Sequence, residues 1–461
     1  MVKSNSLRRA AMLEGPEWKS ILLFVIPIML SQLLQQLYST VDGIIVGNFV
    51  SEGALAAVGA STVVTVGINS VSFGLANGCA VAVGQFYGAE RYKDMRSTTA
   101  TALTLLSSLG LAVMLLCVIG AGFTAAHILD IENLSVRAQA ATYFRIFAIG
   151  FIFQFTYNSI SAILRSVGDS RAVLYFLIVS SVVNVLLDLL FVAVFSWGVA
   201  GAAWATVISQ AACMAVSWIY MQKKYELFRF RAAEIRPERE KLRLCLKLGI
   251  PTALQHLIVS CGNVALQRLV DSFGSTTMAA YAVGRTYDHY IAVPCTSMFQ
   301  SLTSFTGQNV GAGRYDRVKR GAYQGIGIAV IFVVIIGIIV YAFARPLSAL
   351  YGVEDETLSQ AVAYLRFIAI AYPLMAMYVP MNGIFQGSGD SMAAAISAVV
   401  ALSARVGAAY LMVYALHMDY SSGWKSYAVG WTCAVVYVTI HFFRGKWMTK
   451  GIVKTPEKPA A

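Results

Sequence analysis

The chain has 461 residues, of which 58% are hydrophobic and 13% are charged. A soluble domain has about 25% charged residues. This composition and the mean hydropathy of +0.66 therefore exclude an ordinary soluble protein and indicate an integral membrane protein. The net charge is +12. The basic residues are not interleaved with aromatic residues as on a nucleic-acid-binding surface, so no nucleic-acid partner is expected.

Twelve apolar stretches are long enough to cross about 30 Å of hydrocarbon. Backbone groups in lipid must satisfy their own hydrogen bonds, so each stretch is predicted to be a helix and the fold class to be all-α. In chain order the stretches cover approximately residues 20–47, 55–86, 96–121, 137–164, 171–195, 199–222, 244–270, 277–305, 320–343, 358–385, 392–416 and 424–443.

The chain contains an internal repeat. GQFYGAERYKD at 84–94 recurs as GQNVGAGRYDR at 307–317, and RSVGDS from Arg165 recurs as QGSGDS from Gln386. Each repeat spans about 220 residues, or six helices. Because six is an even number, both repeats enter and leave on the same side of the membrane. We therefore predict two six-helix bundles related by a pseudo-twofold axis along the membrane normal.

The predicted domains follow from this repeat. Residues 1–224 form an amino-terminal bundle, and the strongly charged residues 225–243 form a cytoplasmic linker. Residues 244–445 form a carboxyl-terminal bundle, and residues 446–461 form a cytoplasmic tail.

The basic residues predict the orientation, since cytoplasmic loops are rich in Lys and Arg. One side carries Arg91, Lys93 and Arg96, the 223–247 cluster, and the 444–458 tail, whereas the other side carries only Arg137, Arg345 and Lys425. We expect a multi-pass protein of the cell membrane with both termini in the cytoplasm. Membrane lipid is the expected surrounding partner, and a monomer is the expected oligomeric state.

Polar residues recur on single helical faces within the apolar stretches of the amino-terminal half. Spacings of three and four place such residues on one stripe of a helix, and intramembrane carboxylates are costly enough to indicate function. For the neutral residues, hydrogen bonding between helices stays an alternative. The residues are Gln35, Tyr38 and Asp42 on the first helix, Gln154 and Asn158 on the fourth, Asn184 and Asp188 on the fifth, and Thr206 and Gln210 on the sixth.

The paired GQxxGA motifs, the SVGDS and GSGDS turns, the prolines of the first and seventh helices, and TVDGIIVGNFV together resemble the multidrug and toxic compound extrusion (MATE) family. The resemblance covers residues 15–445. It implies a cation site at Asp42, Asn184, Asp188 and Thr206, which would hold sodium if the transporter is sodium-coupled or a proton otherwise. It also implies substrate contacts at Gln35, Tyr38, Gln154, Asn158 and Gln210.

The carboxyl-terminal half departs from this pattern. The repeat positions of Asp42, Asn184 and Asp188 hold Leu266, Arg405 and Ala409. No second cation site is therefore expected there. Arg285 and Asp288 on the eighth helix are three residues apart, a spacing that favours an intrahelical ion pair.

Two features at helix ends and bends have structural interpretations. Pro27 removes the hydrogen bond to the carbonyl of Leu23 and predicts a hinge in the first helix. Asp169 and Asp390 precede helices five and eleven, where a short oxygen-bearing side chain caps free N–H groups.

These observations predict a proton- or sodium-coupled antiporter that exports cationic amphipathic small molecules by alternating access. The alternative is a flippase for a lipid-linked precursor, which needs basic groups such as Arg268, Arg285 and Arg405 to bind pyrophosphate. No nucleophile–base pair or HExxH motif supports an enzyme, and no cofactor is expected besides the coupling ion.

Overall fold

The computed structural model describes residues 12–50, 52–128, 133–231, 234, 236–353 and 355–453. Within these ranges all regular secondary structure is helical. The first half contains α1 (Glu17–Phe49), α2 (Glu52–Gly88), α3 (Tyr92–Phe123), α4 (Leu134–Ile149), α5 (Phe151–Ser166), α6 (Ser170–Asp188) and α7 (Gly198–Lys224). The second half contains α8 (Arg239–Asp271), α9 (Ser275–Gly311), α10 (Tyr315–Ala342), α11 (Ala344–Ala349), α12 (Asp355–Ser388), α13 (Ser391–Tyr410) and α14 (Ser422–Phe443).

Each of the twelve predicted stretches corresponds to helical structure. The fourth stretch is divided into α4 and α5, which are bent by 44° relative to each other. In the described part of the chain, ten single helices are long and apolar enough to cross a membrane, and the bent pair provides an eleventh span.

The helix α9 accounts for the remaining predicted stretch, 277–305. It is 37 residues long, so length does not exclude it as a span. Its composition does lower its hydropathy, because Arg285, Asp288 and many Ser and Thr residues interrupt the apolar ones. Most of its second half is buried inside the protein, where polar groups find protein partners in place of lipid.

The described residues form two compact units. The amino unit contains Leu30–Ala253, and the carboxyl unit contains the segment through Met29 together with Leu254 onward. The division falls two residues after Pro27 in α1 and two residues after Pro251 in α8. The domain limits predicted from the repeat remain a prediction.

The first part of α8 packs inside the amino unit against α2 and α3. A Cβ atom built at Gly78 would lie 2.3 Å from the Cα of Gly249, so only glycine permits this approach of the two backbones. Nearby, Lys241 Nζ donates to Asp94 Oδ1 over 2.6 Å. Lys241 is buried, so the ion pair compensates its charge.

The first part of α1 has equivalent contacts inside the carboxyl unit. Glu17 lies 3.2 Å from Arg320 Nε and 3.6 Å from Arg317 Nη1. Asn309 Nδ2, within the second GQxxGA motif, donates to the Met12 carbonyl oxygen over 3.1 Å. In both repeats, therefore, the second and third helices contact a segment from the other half of the sequence.

The two GDS turns differ in their capping. Gly168 and Gly389 have φ values of 97° and 96°, a conformation that requires glycine. Asp169 accepts a hydrogen bond from the Ala172 N–H over 3.3 Å and caps α6 as predicted. The capping prediction is wrong for Asp390, whose carboxylate contacts His441 Nε2 at 2.9 Å and makes no side-chain cap.

A π-helical turn follows the helix of the fifth apolar stretch in each repeat, which is α6 in the first repeat and α13 in the second. It covers Leu189–Val194 after α6 and Leu411–Ala415 after α13. Such turns often occur at functional sites. Because it recurs in a repeat that lacks the predicted cation site, the turn belongs to the architecture of the bundle and does not by itself indicate a site.

Candidate cation and substrate site

The helices α6 and α7 of the amino unit pack antiparallel, and two contacts fix their register. Cys213 Sγ lies 3.6 Å from the carbonyl oxygen of Phe176, and Ser180 Oγ donates to the carbonyl oxygen of Ser209 over 3.2 Å. One further turn along each helix brings Asn184 level with Thr206. A second turn brings Asp188 level with Ala202.

The three cation-site candidates on these helices are buried. Asn184, Asp188 and Thr206 are 1%, 0% and 4% exposed. The Thr206 hydroxyl donates to the Ala202 carbonyl oxygen over 3.0 Å, so its oxygen keeps lone pairs for another ligand. Neither polar atom of the Asn184 amide has a hydrogen-bond partner among the described residues.

The first helix approaches the same region through an apolar cluster. Ile45 of α1, Val192 after α6 and Ala202 of α7 belong to this buried cluster. Asp42 precedes Ile45 by three residues, Asp188 precedes Val192 by four, and Thr206 follows Ala202 by four. All three candidates therefore lie one helical turn from a shared contact. The side chain of Asp42 lies outside the described residues.

The carboxyl unit contains the repeat equivalent of this contact. Leu266 and Ala409, at the positions of Asp42 and Asp188, share one buried apolar cluster with Leu269. The repeat therefore brings these two helical positions together even without a polar site. In the carboxyl unit both of these residues are apolar.

The donor set fits a hard monovalent cation. Asn184 and Thr206 supply neutral oxygens and Asp188 supplies a carboxylate, and oxygen ligands suit hard cations. The buried Asn184 amide, which has no hydrogen-bond partner within the part of the chain that the structure describes, also fits, because a buried polar group without a protein partner requires a water, an ion or a ligand.

The polar residues of α5 form a chain of hydrogen bonds to α2. Gln154 Nε2 donates to Asn158 Oδ1 over 3.3 Å, and Asn158 Nδ2 donates to Ser72 Oγ over 3.0 Å. These three side chains are partly buried or buried. Ser72 was not predicted, although it stands within a long apolar stretch, as the predicted residues do.

Gln210 lies at the bend between α4 and α5. A Cβ atom at Gly150 would be 2.2 Å from Gln210 Oε1, so a larger residue at 150 would require the Gln210 side chain to move. Gln210 Oε1 has no hydrogen-bond partner among the described residues. Gly150 was also not predicted, since a single glycine in an apolar run gives no distinctive signal.

Two substrate candidates stand on α1. Gln35 is exposed and Tyr38 is half-buried. The structure shows no hydrogen bond from the Gln35 side chain to another described residue. Pro27 is buried in α1, which continues from Glu17 to Phe49 without an interruption.

The predicted ion pair between Arg285 and Asp288 is not formed. Arg285 Nη1 donates to the Tyr427 hydroxyl over 3.1 Å, and Asp288 accepts a hydrogen bond from the Tyr364 hydroxyl. The prediction is wrong because each group bonds instead to a tyrosine of another helix, Arg285 to one of α14 and Asp288 to one of α12. Their spacing on one helix carried no information about those neighbours.

The repeated helical architecture and the intramembrane polar residues define a multi-pass membrane transporter. The MatE family model matches residues 27–190 and 251–411. The chain therefore belongs to the MATE family, whose members are transporters and not enzymes.

Relatives and solved structures agree with this assignment. The chain is 28% identical to the probable multidrug resistance protein YoeA of Bacillus subtilis over 95% of this chain and 96% of the relative. It is 30% identical to the probable multidrug resistance protein YpnP of the same organism over 82% and 84% of the two chains. A solved outward-facing multidrug resistance MATE family transporter is similar in fold, with a TM-score of 0.90 and 23% identity over 97% of this chain and 99% of the other.

Proposed function

We propose that this MATE family transporter exports cationic amphipathic small molecules in exchange for sodium or protons. The relatives named multidrug resistance proteins support efflux of several compounds. The observation that carries the ion coupling is the register of α6 and α7, which brings buried Asn184 and Thr206 to one level beside Asp188.

The proposed mechanism is alternating access between two states. A ligand shifts such an equilibrium only when it binds the two states differently. A proton or sodium ion at Asp42 and Asp188 reduces the negative charge that holds a cationic substrate. Ion and substrate therefore compete, and each weakens the binding of the other by the same factor. The substrate contacts in this proposal are Gln35, Tyr38, Gln154, Asn158 and Gln210, and bending at Pro27 accompanies the change of state.

Substrate efflux from proteoliposomes under an imposed sodium gradient, and then under a proton gradient, tests the proposal. Asp42→Asn and Asp188→Asn should abolish gradient-driven export. Asp271→Asn is the matched control, because Asp271 belongs to the carboxyl unit and its carboxylate accepts a hydrogen bond from Gln267 on its own helix. Equal loss in all three variants at equal expression would contradict the site assignment.

Equilibrium binding separates competition from remote coupling. Binding of a fluorescent cationic dye should weaken as pH falls or as sodium rises, and this dependence should disappear in Asp188→Asn. A dye affinity that stays constant in both titrations of the wild type would rule out direct competition.

We further propose that the protein is a monomer in the cell membrane, with both termini in the cytoplasm and lipid around the helices. The excess of basic residues on one side supports this orientation. Membrane-impermeant labelling of single cysteines placed at 93 and at 425 should modify only position 425 in intact cells. Labelling at position 93 alone would reverse the orientation.

A further inference from the structure

A buried arginine occupies the middle of α13 in the carboxyl unit. Arg405 is 8% exposed and stands at the repeat position of Asn184, 221 residues further along the chain. Charged side chains within membrane spans are costly, and they usually mark a functional site. The arrangement around Arg405 therefore requires an explanation that packing alone does not give.

Two contacts with described residues hold the guanidinium in place. Its Cζ lies 3.2 Å from the centre of the Tyr427 ring, and Nη1 donates to Asn263 Oδ1 over 3.1 Å. Gly430 permits the close approach of α14, because a Cβ atom there would lie 2.7 Å from the Arg405 Cβ.

The other two nitrogen atoms, Nε and Nη2, are buried without a hydrogen-bond partner among the described residues. Their N–H groups point from the same edge of the guanidinium. That edge matches the two oxygens of a carboxylate, which accepts both hydrogen bonds at once.

The charges around Arg405 favour an anion. Arg285 is a second cation in this region, and its hydrogen bond to the Tyr427 hydroxyl joins it to the ring beneath Arg405. Asp288 provides a carboxylate in the same region. It is 7% exposed, and it accepts a hydrogen bond from the Tyr364 hydroxyl. It forms no ion pair with either arginine. Two guanidinium groups and one carboxylate leave one net positive charge.

We infer that the carboxyl unit contains a binding site for the carboxylate of an aromatic small molecule, held through Nε and Nη2 of Arg405. The rings of Tyr281, Tyr364 and Tyr427 provide the aromatic surroundings. Because Nε and Nη2 are buried in this conformation, binding requires side chains of the unit to move, and the ligand stabilises the opened form. This site is independent of the proposed cation site in the amino unit.

Equilibrium dialysis of the purified full-length protein with radiolabelled 1-naphthoate tests the inference without any ion gradient. The wild type should bind naphthoate, acetate should compete, and the neutral isostere 1-naphthamide should not. Arg405→Gln and Arg405→Lys should each weaken binding by about tenfold or more, because lysine keeps the charge but lacks the paired donors. Arg366→Gln, which removes an exposed arginine of α12, should bind as the wild type does.

Asp288→Asn keeps the inference testable if variants at Arg405 do not fold. Removing the negative charge should strengthen naphthoate binding several-fold, a result that a purely structural role does not predict. No binding by the wild type, unchanged binding in a folded Arg405→Gln variant, or unchanged or weaker binding in Asp288→Asn would each overturn the inference. Competition by inorganic phosphate but not by acetate would overturn the carboxylate assignment.

Discussion

Ser180 Oγ on α6 donates a hydrogen bond to the Ser209 carbonyl oxygen on α7 over 3.2 Å. This bond fixes the register of two antiparallel helices and so determines which residues share a level one turn further along. Asn184 and Thr206 are those residues. The candidate cation site therefore depends on a contact outside the candidate set itself.

Asn184→Leu should separate function from stability. The Asn184 amide is buried without a hydrogen-bond partner among the described residues, and replacing an unsatisfied polar group by an apolar one is neutral or stabilising. We expect the free energy of unfolding, measured by thermal unfolding in detergent, to change by less than about 1 kcal/mol. Gradient-driven export should fall at least about tenfold. Ser217→Ala on α7 is the control and should retain export. A large loss of stability in Asn184→Leu would indicate a structural role.

Gly150→Ala should weaken substrate binding through Gln210. The new methyl group would lie 2.2 Å from Gln210 Oε1 and must displace that side chain. We expect the affinity for a cationic dye to fall several-fold, as measured by equilibrium binding. In the background of Gln210→Ala, the same Gly150→Ala change should have little further effect, because the side chain that it displaces is absent. Additive losses in the double variant would contradict this coupling.

Asp169 should make stability depend on pH at the acid end. Burial raises its pKa, but hydrogen bonds from Lys224 and Tyr225 outweigh burial and hold the pKa below its usual value of 3.8. The stabilisation is complete above the pKa of the unfolded chain and is lost as pH falls through the lower native pKa. Asp169→Asn should cost about 1.5–3 kcal/mol at neutral pH. The difference in unfolding free energy between wild type and variant, measured by thermal unfolding, should become smaller below about pH 4. A difference that stays constant with pH would contradict the prediction.

Gly383→Ala should destabilise the carboxyl unit. A Cβ atom there would lie 2.4 Å from the Phe299 carbonyl oxygen, so the backbones of α9 and α12 must separate. We expect a cost of about 1–3 kcal/mol in thermal unfolding. Gly407→Ala on α13 is the matched control, because no atom lies within 4 Å of the new Cβ. It should be neutral or stabilising by about 1 kcal/mol; equal effects of the two changes would show that helix packing is not the cause.

The helical architecture could be predicted from the periodicity and composition of the sequence. An apolar stretch that spans the bilayer has to be helical, whatever its neighbours are. The repeated GQxxGA and GDS motifs likewise gave the equivalence of positions such as Asn184 and Arg405. Polar residues at spacings of three and four gave the candidate stripes, because side-chain direction along a helix follows from its geometry.

Contacts between helices were decided only by the tertiary structure. Arg285 and Asp288 are three residues apart in the sequence, but each bonds to a tyrosine of another helix, α14 and α12 respectively, and not to the other. Asp169 and Asp390 were both predicted to cap the helix that follows them. Of the two, only Asp169 does so, since His441 contacts Asp390. Gly150 and Ser72 gained their roles from partners 60 and 86 residues away. Such relationships depend on which helix faces pack together, and no local spacing encodes that choice.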